Sequence, residues 1–332
     1  MKRRDLIQTA IQGSVGWWLS NQLQSMKPTD KSDEMQIGII GLDTSHAVAF
    51  TKIFNGPEEK QGFRVTHAYP YGSRDIESSV SRIPGYTEEI QKLGVSIVDS
   101  IESLLGHVDK VLLLTNDGRL HLEQVMQVFE AGKPVFIDKP IAATLPDVKA
   151  IIKASRDHNV SMFSSSSLRF SPSTQAVVNG SIGRVLGADT YSPATLEKTH
   201  PDLFWYGVHG VEALFTVMGQ GCQQVRRVFR EDMDLVVGEW SDGRIGTFRG
   251  IRSGKKDYGG TAFGEEGIAP AGRYEGYEHL VYEIIRFFET NQSPVDPDET
   301  LEIFAFMEAA DESKRRGGEP VALQEVLERS GK

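Results

Sequence analysis

The chain has 332 residues, 39% hydrophobic and 25% charged, an ordinary globular composition with enough apolar material for one large or two ordinary domains. Thirty-six Lys and Arg stand against 46 Asp and Glu, a formal charge of −10 without long acidic runs, so the basic stripe that nucleic acid or an acidic membrane surface demands is missing. The single cysteine, Cys222, excludes an intramolecular disulfide and any multi-thiolate metal site.

Residues 1–34 read as leader and linker. Arg3 and Arg4 precede an uncharged stretch from Leu6 to Leu23, which resembles a twin-arginine export signal. The expectation is an exported, periplasmic protein; the alternative is a cytoplasmic one with a frayed amphipathic N-terminus. No other stretch approaches the ~18 apolar residues that span a bilayer. Lys27–Glu34 is polar and reads as a linker.

From Met35 short apolar runs alternate with helical periods. The spacing predicts strands at Gln36–Ile40, Phe63–Ala68, Val95–Val98, Lys110–Leu114, Val135–Ile137 and Ser161–Ser164. Helices are expected between them at Ala47–Phe54, Thr87–Leu93, Ile101–Leu105, Leu120–Ala131 and Pro146–His158. Strands joined by helical crossovers form a doubly wound parallel sheet, placed at 35–165. After Phe170 strand-like segments follow one another: Val225–Phe229, Asp234–Glu239, Ile245–Arg249 and Thr261–Phe263, with turns such as Ser241–Arg244. Helices are expected at Val211–Met218, Tyr277–Glu289 and Glu299–Arg315. The 166–332 half is therefore an α+β domain with a mixed, largely antiparallel open sheet.

The turn after the first strand carries the first chemistry. In the fingerprint G-x-G-x-x-G the glycines allow a tight turn, close approach of a pyrophosphate and helix packing. Here those positions read Gly41, Asp43 and His46. A carboxylate at the second position is expected to face the pyrophosphate and repel it, leaving the helix N-terminus with Thr44 and Ser45 as donors. The turn is then either a damaged dinucleotide site or a purely structural one. At the tip of the second strand, where an acid usually holds a ribose hydroxyl, stand Ser73 and Arg74, which suit a 2′-phosphate and favour NADP over NAD; otherwise this is a solvated glycine turn. Lys139 follows a strand and precedes Pro140, at the carboxyl edge where ligands bind in such sheets. His209 and Glu212, at i and i+3 on one helix, can share acid–base work or co-ligate a metal.

Four motifs occur in order: Ile37-Gly-Ile-Ile-Gly41, Glu130-Ala-Gly-Lys-Pro-Val-Phe-Ile-Asp-Lys-Pro140, Trp205-Tyr-Gly-Val-His-Gly-Val-Glu212 and Phe263-Gly-Glu-Glu-Gly267. Together they resemble the glucose-fructose oxidoreductase, inositol dehydrogenase and rhizopine-catabolism family, Gfo/Idh/MocA, in a divergent branch whose turn is Gly-Leu-Asp-Thr-Ser-His. The resemblance covers nearly everything after the leader. It implies a Rossmann domain, a second domain whose open sheet often forms oligomer contacts, and NAD(P)-linked oxidoreduction of sugars or polyols.

It also implies that Lys139 contacts the nicotinamide ribose and the reacting hydroxyl, and that His209 is a general acid/base. Trp205 stands where the family has an aspartate, and Asp138 replaces a glutamate. Thr115, Asn116 and His121 match a loop that touches the cofactor; His121 equally caps or packs the helix it begins. Arg169 matches a hinge arginine that binds substrate oxygens, or else forms a structural salt bridge. Trp205 and Tyr206 can stack on a sugar ring. No metal is expected; the minority alternative gathers Asp43, His46, His121, His209 and Glu212.

The leading expectation is thus an NAD(P)-type oxidoreductase of a sugar, polyol or glycoside, homo-oligomeric through the second sheet. The alternatives are a non-redox sugar lyase, hydratase or epimerase on the same scaffold, using Glu212 with His209 and possible metal assistance, and a non-catalytic sugar-binding protein.

Overall fold

A computed structural model describes residues 34–56 and 62–330; the leader, and the export reading with it, lies outside them. The first sheet is built from β1 (Met35–Ile40), β2 (Phe63–Tyr69), β3 (Ser96–Ile97), β4 (Lys110–Leu113), β5 (Val135–Ile137) and β6 (Met162–Ser164). Its helices are α1 (Ser45–Phe54), α2 (Glu77–Val80), α3 (Ile83–Lys92), α4 (Ile101–Leu105), α5 (His121–Glu130) and α6 (Leu145–His158). The strand order is β3-β2-β1-β4-β5-β6, every pair parallel. Ile37, Ile39, Val111, Leu112, Leu113, Val135 and Phe136 are all fully buried, as a sheet covered on both faces requires. The order in which strands are added reverses between β1 and β4, and the loops leaving these two strands frame the crevice where ligands bind in doubly wound sheets.

The second half adds α7 (Pro172–Val178), β7 (Val185–Pro193), α8 (Asp202–Trp205), α9 (Val208–Met218), β8 (Cys222–Arg230), β9 (Met233–Trp240), β10 (Ile245–Ile251), β11 (Gly259–Gly264) and β12 (Ile268–Pro270). It closes with α10 (Glu278–Thr290), α11 (Pro297–Arg315), β13 (Val321–Ala322) and α12 (Leu323–Arg329). Its sheet runs β12-β11-β7-β10-β9-β8-β13, with β7 and β10 parallel and the other pairs antiparallel. This is the mixed, largely antiparallel sheet expected. The sequence reading omitted β7, a central strand, because Gly187 and Pro193 look like breakers. Gly187 is instead a close approach: a Cβ there would stand 2.9 Å from the Ile245 carbonyl oxygen. Helix α3 likewise begins at Ile83 rather than Thr87, with Pro84 in its first turn, where proline is tolerated.

Two packings carry the site. Helix α9 is buried on nearly all sides, and Gly210 lets it lie against Phe248 of β10, where any side chain would collide with the ring. That seats His209 at the helix start. Helix α10 returns to the first sheet, joining Ile284, Phe287 and Phe288 to the core of Ile37, Phe50, Phe136 and Phe163. Both sheets thus belong to one compact unit, Met35–Lys332. Among the described residues no helix is long and apolar enough to cross a membrane.

Beneath the second sheet Arg227 is fully buried and donates to Asp234 at 2.8 Å and Asp202 at 2.9 Å, with Asp311 also in contact. Removing one member of a buried ion cluster leaves uncompensated charge, which typically destabilises by about 3–5 kcal/mol. Arg227→Ala is therefore expected to lower the urea-unfolding free energy by about 3–5 kcal/mol; a loss under about 1 kcal/mol would contradict a structural role for the cluster.

Candidate active site

The turn after β1 begins at Gly41, whose φ of 91° and closeness to Thr115 (2.6 Å from an added Cβ to its backbone) admit glycine alone. Asp43 then turns inward. Fully buried, it accepts the Ser73 amide at 2.8 Å and the Asn116 amide at 2.9 Å, tying the β2 and β4 loops to the β1 turn. Burial raises its pKa while those amides pull it down. The expected repulsion of a pyrophosphate by an outward-facing Asp43 is thus corrected. Thr44 caps α1, its hydroxyl accepting the His46 amide at 3.4 Å, so its oxygen is committed to the helix; Ser45 is exposed beside it.

Two cavities flank this knot. One, of about 730 Å³, lies at the tips of β2 and β3 against α5 and includes Tyr69, Ser73, Arg74, Asp99, Ser100 and Gln124 in its wall. The other, of about 430 Å³, lies between the two sheets' elements and gathers Thr44, Ser45, His46, Asn116, Lys139, Trp205, Tyr206 and His209. They share no lining residue. The segment around α2 stands between them, with Val80 and Ile83 facing the first and Ser78 and Arg82 the second. It is fastened by Asn116, whose side-chain amide donates to the buried Ser79 hydroxyl at 2.8 Å.

The second cavity holds the reactive groups. His46 packs its ring on Phe50 at 5.2 Å and its Nδ1 lies 2.6 Å from Asp138. Burial pushes the Asp138 carboxyl up, but His46 and Lys139 outweigh it and bring the pKa down to about 2, so Asp138 stays ionised. Lys139, only 7% exposed, sets its ammonium 5.8 Å from the centre of the Tyr206 ring. Its ammonium has no hydrogen bond or ion pair among the described residues, unlike the other buried cations Lys110, Arg169 and Arg227. A buried cation without a partner is costly unless a ligand supplies one. His209 is held through Nδ1, 2.8 Å from the Ser166 hydroxyl, leaving Nε2 for exchange. Burial first, then the positive charge of Lys139, keeps its pKa well below the ordinary histidine value, so the ring is neutral.

Sequence reasoning missed much of the wall. Tyr258, Tyr274 and Tyr277 close the cavity opposite Lys139, joined by Thr195 and Ser167. Their signal was available: Tyr258 precedes a Gly-Gly pair, and Tyr274 and Tyr277 flank Gly276, aromatic residues set in turns that only a wall would hold. Burial keeps Tyr258 and Tyr277 protonated, as hydrogen-bond donors.

Several expected residues lie elsewhere. Glu212 does not reach the cavity. Its carboxylate accepts from Ser165 Oγ at 2.6 Å, the Ser166 amide at 2.8 Å and Arg169 Nε at 2.9 Å, so it positions the serine that holds His209 and does no acid–base work itself. Arg169 is committed to Glu212 and, at 2.8 Å, to Glu299, which makes it a structural salt bridge and not a substrate ligand. His121 is fully buried with its ring nitrogens 3.1 Å from the Ile141 and 2.6 Å from the Thr115 carbonyl oxygens, away from both cavities. Thr115 lies under Gly41, also outside them. Among the described residues no group of three or more His, Cys, Asp and Glu could hold a metal ion, so Asp43, His46, His121, His209 and Glu212 do not converge on one site. Trp205 and Tyr206 do line the second cavity, and Ser73 and Arg74 the first.

Residues 35–165 match the family model GFO_IDH_MocA, described as an oxidoreductase family with an NAD-binding Rossmann fold. Over this region the chain is similar to the Gfo/Idh/MocA oxidoreductases. It is 32% identical over 122 residues to a 1,5-anhydro-D-fructose reductase of Ensifer adhaerens, a match covering 35% of this chain and 36% of that protein. To an inositol 2-dehydrogenase of Serratia proteamaculans it is 31% identical over 125 residues, 37% of this chain and 34% of the other. The chain thus spans about a third of the length of these curated relatives. The fold is that of a scyllo-inositol dehydrogenase from Lactobacillus casei with bound NAD(H) and scyllo-inositol: TM-score 0.71 at 16% identity, over 88% of this chain and 99% of that one.

The donors fit a nicotinamide dinucleotide at both ends of the cleft, with Ser73 and Arg74 in the first cavity and Lys139 in the second. The α2 segment lies between them, contributing Val80 to the wall of the first cavity and Ser78 to that of the second.

Two outcomes follow from this geometry. Removing the Asp43 carboxylate leaves a buried and a half-buried amide unpaired at about 1–3 kcal/mol each, so Asp43→Ala is expected to destabilise by about 2–6 kcal/mol in chemical denaturation; under about 0.5 kcal/mol would contradict the tie. His209 stays neutral in the fold, whereas the unfolded chain takes up a proton near pH 6.5, so stability is lost as pH falls below about 6.5. His209→Gln is expected to flatten the fall in melting temperature between about pH 7 and pH 5.5; an unchanged slope would contradict the neutral ring.

Proposed function

We propose that the chain is an oxidoreductase interconverting a hydroxyl and a carbonyl on a sugar, polyol or glycoside in the second cavity, as the chemistry of the Gfo/Idh/MocA oxidoreductases suggests. The observation that carries this reading is the pairing, in one cavity, of an unpartnered buried ammonium with a neutral histidine. NAD(P), when bound, supplies a hydride acceptor or donor. In the oxidative direction Lys139 draws electron density from the substrate oxygen, and His209 Nε2 takes the hydroxyl proton as the carbon gives up its hydride. Ser166, set by Glu212, holds the imidazole in orientation. Tyr206, Tyr258 and Tyr277 offer ring faces to the C–H side of a sugar and hydroxyls to its oxygens.

NADP is the preferred form on this reading, since Ser73 and Arg74 stand in the first cavity at the tip of β2, where a 2′-phosphate would need donors. Exposed Tyr191, Ile245, Phe263 and Val228 lie on strands of the second sheet and support a homo-oligomer formed there. The twin-arginine-like leader supports export, a route that suits a protein folded around its cofactor. One observation favours a non-redox lyase or epimerase instead: α2 separates the two cavities.

The purified protein is expected to gain melting temperature with NADP, more than with NAD, and to produce the reduced-nicotinamide absorbance with at least one member of a sugar and polyol panel. No response to either nucleotide would overturn the reading. Given turnover, His209→Ala is expected to lower kcat about 10²–10⁴-fold, the usual share of a positioned acid–base group; a change under about threefold would remove His209 from the proton transfer.

A further inference from the structure

The loss of two fingerprint glycines leaves open what holds a phosphate in this crevice, and the segment after β2 supplies an answer. The second cavity includes two cations, Lys139 and Arg82, and no carboxylate among its lining residues. The amino end of α1, a ten-residue helix, opens onto it through Thr44, Ser45 and His46. A helix N-terminus favours an anion, and Lys139 is a second, independent sign of one: 93% withdrawn from solvent, facing this cavity, and without a partner among the described residues.

Arg82 and Ser78 are brought to the same place by a short chain of contacts. Asp43 holds the Asn116 amide at 2.9 Å, and the Asn116 side chain holds Ser79 at 2.8 Å, so the α2 segment lies one side chain away from the α1 turn. Ser78 and Arg82 then face the cavity from its open side, and Arg82 has no ion pair among the described residues.

We propose that Arg82 and Ser78, with Ser45 and the amino end of α1, form a phosphoryl-binding subsite that takes over from the missing glycines. The inference rests on the oxidoreductase reading for its setting. A phosphoryl group presents several acceptor oxygens in different directions, which suits a guanidinium fork, two hydroxyls and helix-end amides converging from two elements. The phosphoryl group belongs either to the pyrophosphate of a dinucleotide or to a phosphorylated sugar.

The test is calorimetric titration of the full chain and of Arg82→Gln with NADP, NAD, inorganic pyrophosphate, a hexose 6-phosphate and the unphosphorylated hexose. Arg82 is exposed, so the variant keeps its fold; Ser78→Ala provides a milder second variant. The wild type is expected to bind pyrophosphate, and Arg82→Gln to weaken every phosphorylated ligand it recognises about 10- to 100-fold, the usual range for losing one charged hydrogen-bond donor. Dinucleotide binding competed by pyrophosphate assigns the subsite to the cofactor. Hexose-phosphate binding without any response to NAD or NADP supports the subsite while overturning the dinucleotide reading. Unchanged affinity of Arg82→Gln for every phosphorylated ligand that the wild type binds overturns the subsite and, where those ligands include a dinucleotide, leaves that reading standing; a wild type indifferent to every phosphorylated ligand overturns both.

Discussion

The Asp43 carboxylate holds the crevice together. At a position where the family fingerprint has a glycine, its side chain fills the space above Gly72 and accepts backbone amides from two other loops. Three segments that leave the parallel sheet at different strands are thereby fixed to one buried group. Their relative placement decides where α2 lies, which residues face which cavity, and how wide the crossing between the cavities is. A glycine would offer a pyrophosphate room but would not tie the loops. This chain has the tie.

The same logic of indirect support runs through the second cavity. His209 and Lys139 are the groups with chemistry to offer, and each is set by neighbouring side chains. Glu212 gathers Ser165, Ser166 and Arg169, and Ser166 in turn meets His209. Asp138 accepts the Lys139 amide at 2.8 Å and sits against His46, fixing the backbone from which Lys139 extends. Burial makes both arrangements sensitive: a charge withdrawn from water interacts strongly with its neighbours, so His209 loses its affinity for protons and Lys139 is poised for an anionic or polarised oxygen.

Much of this was legible in the sequence. Runs such as Val135–Ile137 and Val111–Leu113 are apolar on both faces, as a covered parallel strand requires, and the crossover helices between them have a clear period. Lys139 and His209 were legible because their motifs carry them. Asp43 was misjudged because a one-dimensional fingerprint says which position faces a phosphate for glycine, not where a longer side chain turns when buried amides compete for it. Glu212 and Arg169 looked functional from their types and spacing; only their meeting across 43 residues shows that each satisfies the other. β7 was hidden by residues whose breaker character is cancelled by tertiary contacts, and the tyrosine wall by its location in turns outside the quoted motifs.

The claim on which the account turns is that hydride, and not only a proton, leaves the substrate carbon in the Lys139–His209 cavity. The direct measurement uses a substrate deuterated at its carbinol carbon, incubated with the protein and the oxidised dinucleotide, with mass spectrometry of the recovered nucleotide. The account predicts deuterium on the reduced nicotinamide ring. Deuterium appearing in solvent, or retained in a dehydrated or epimerised sugar with the nucleotide unlabelled, would contradict it.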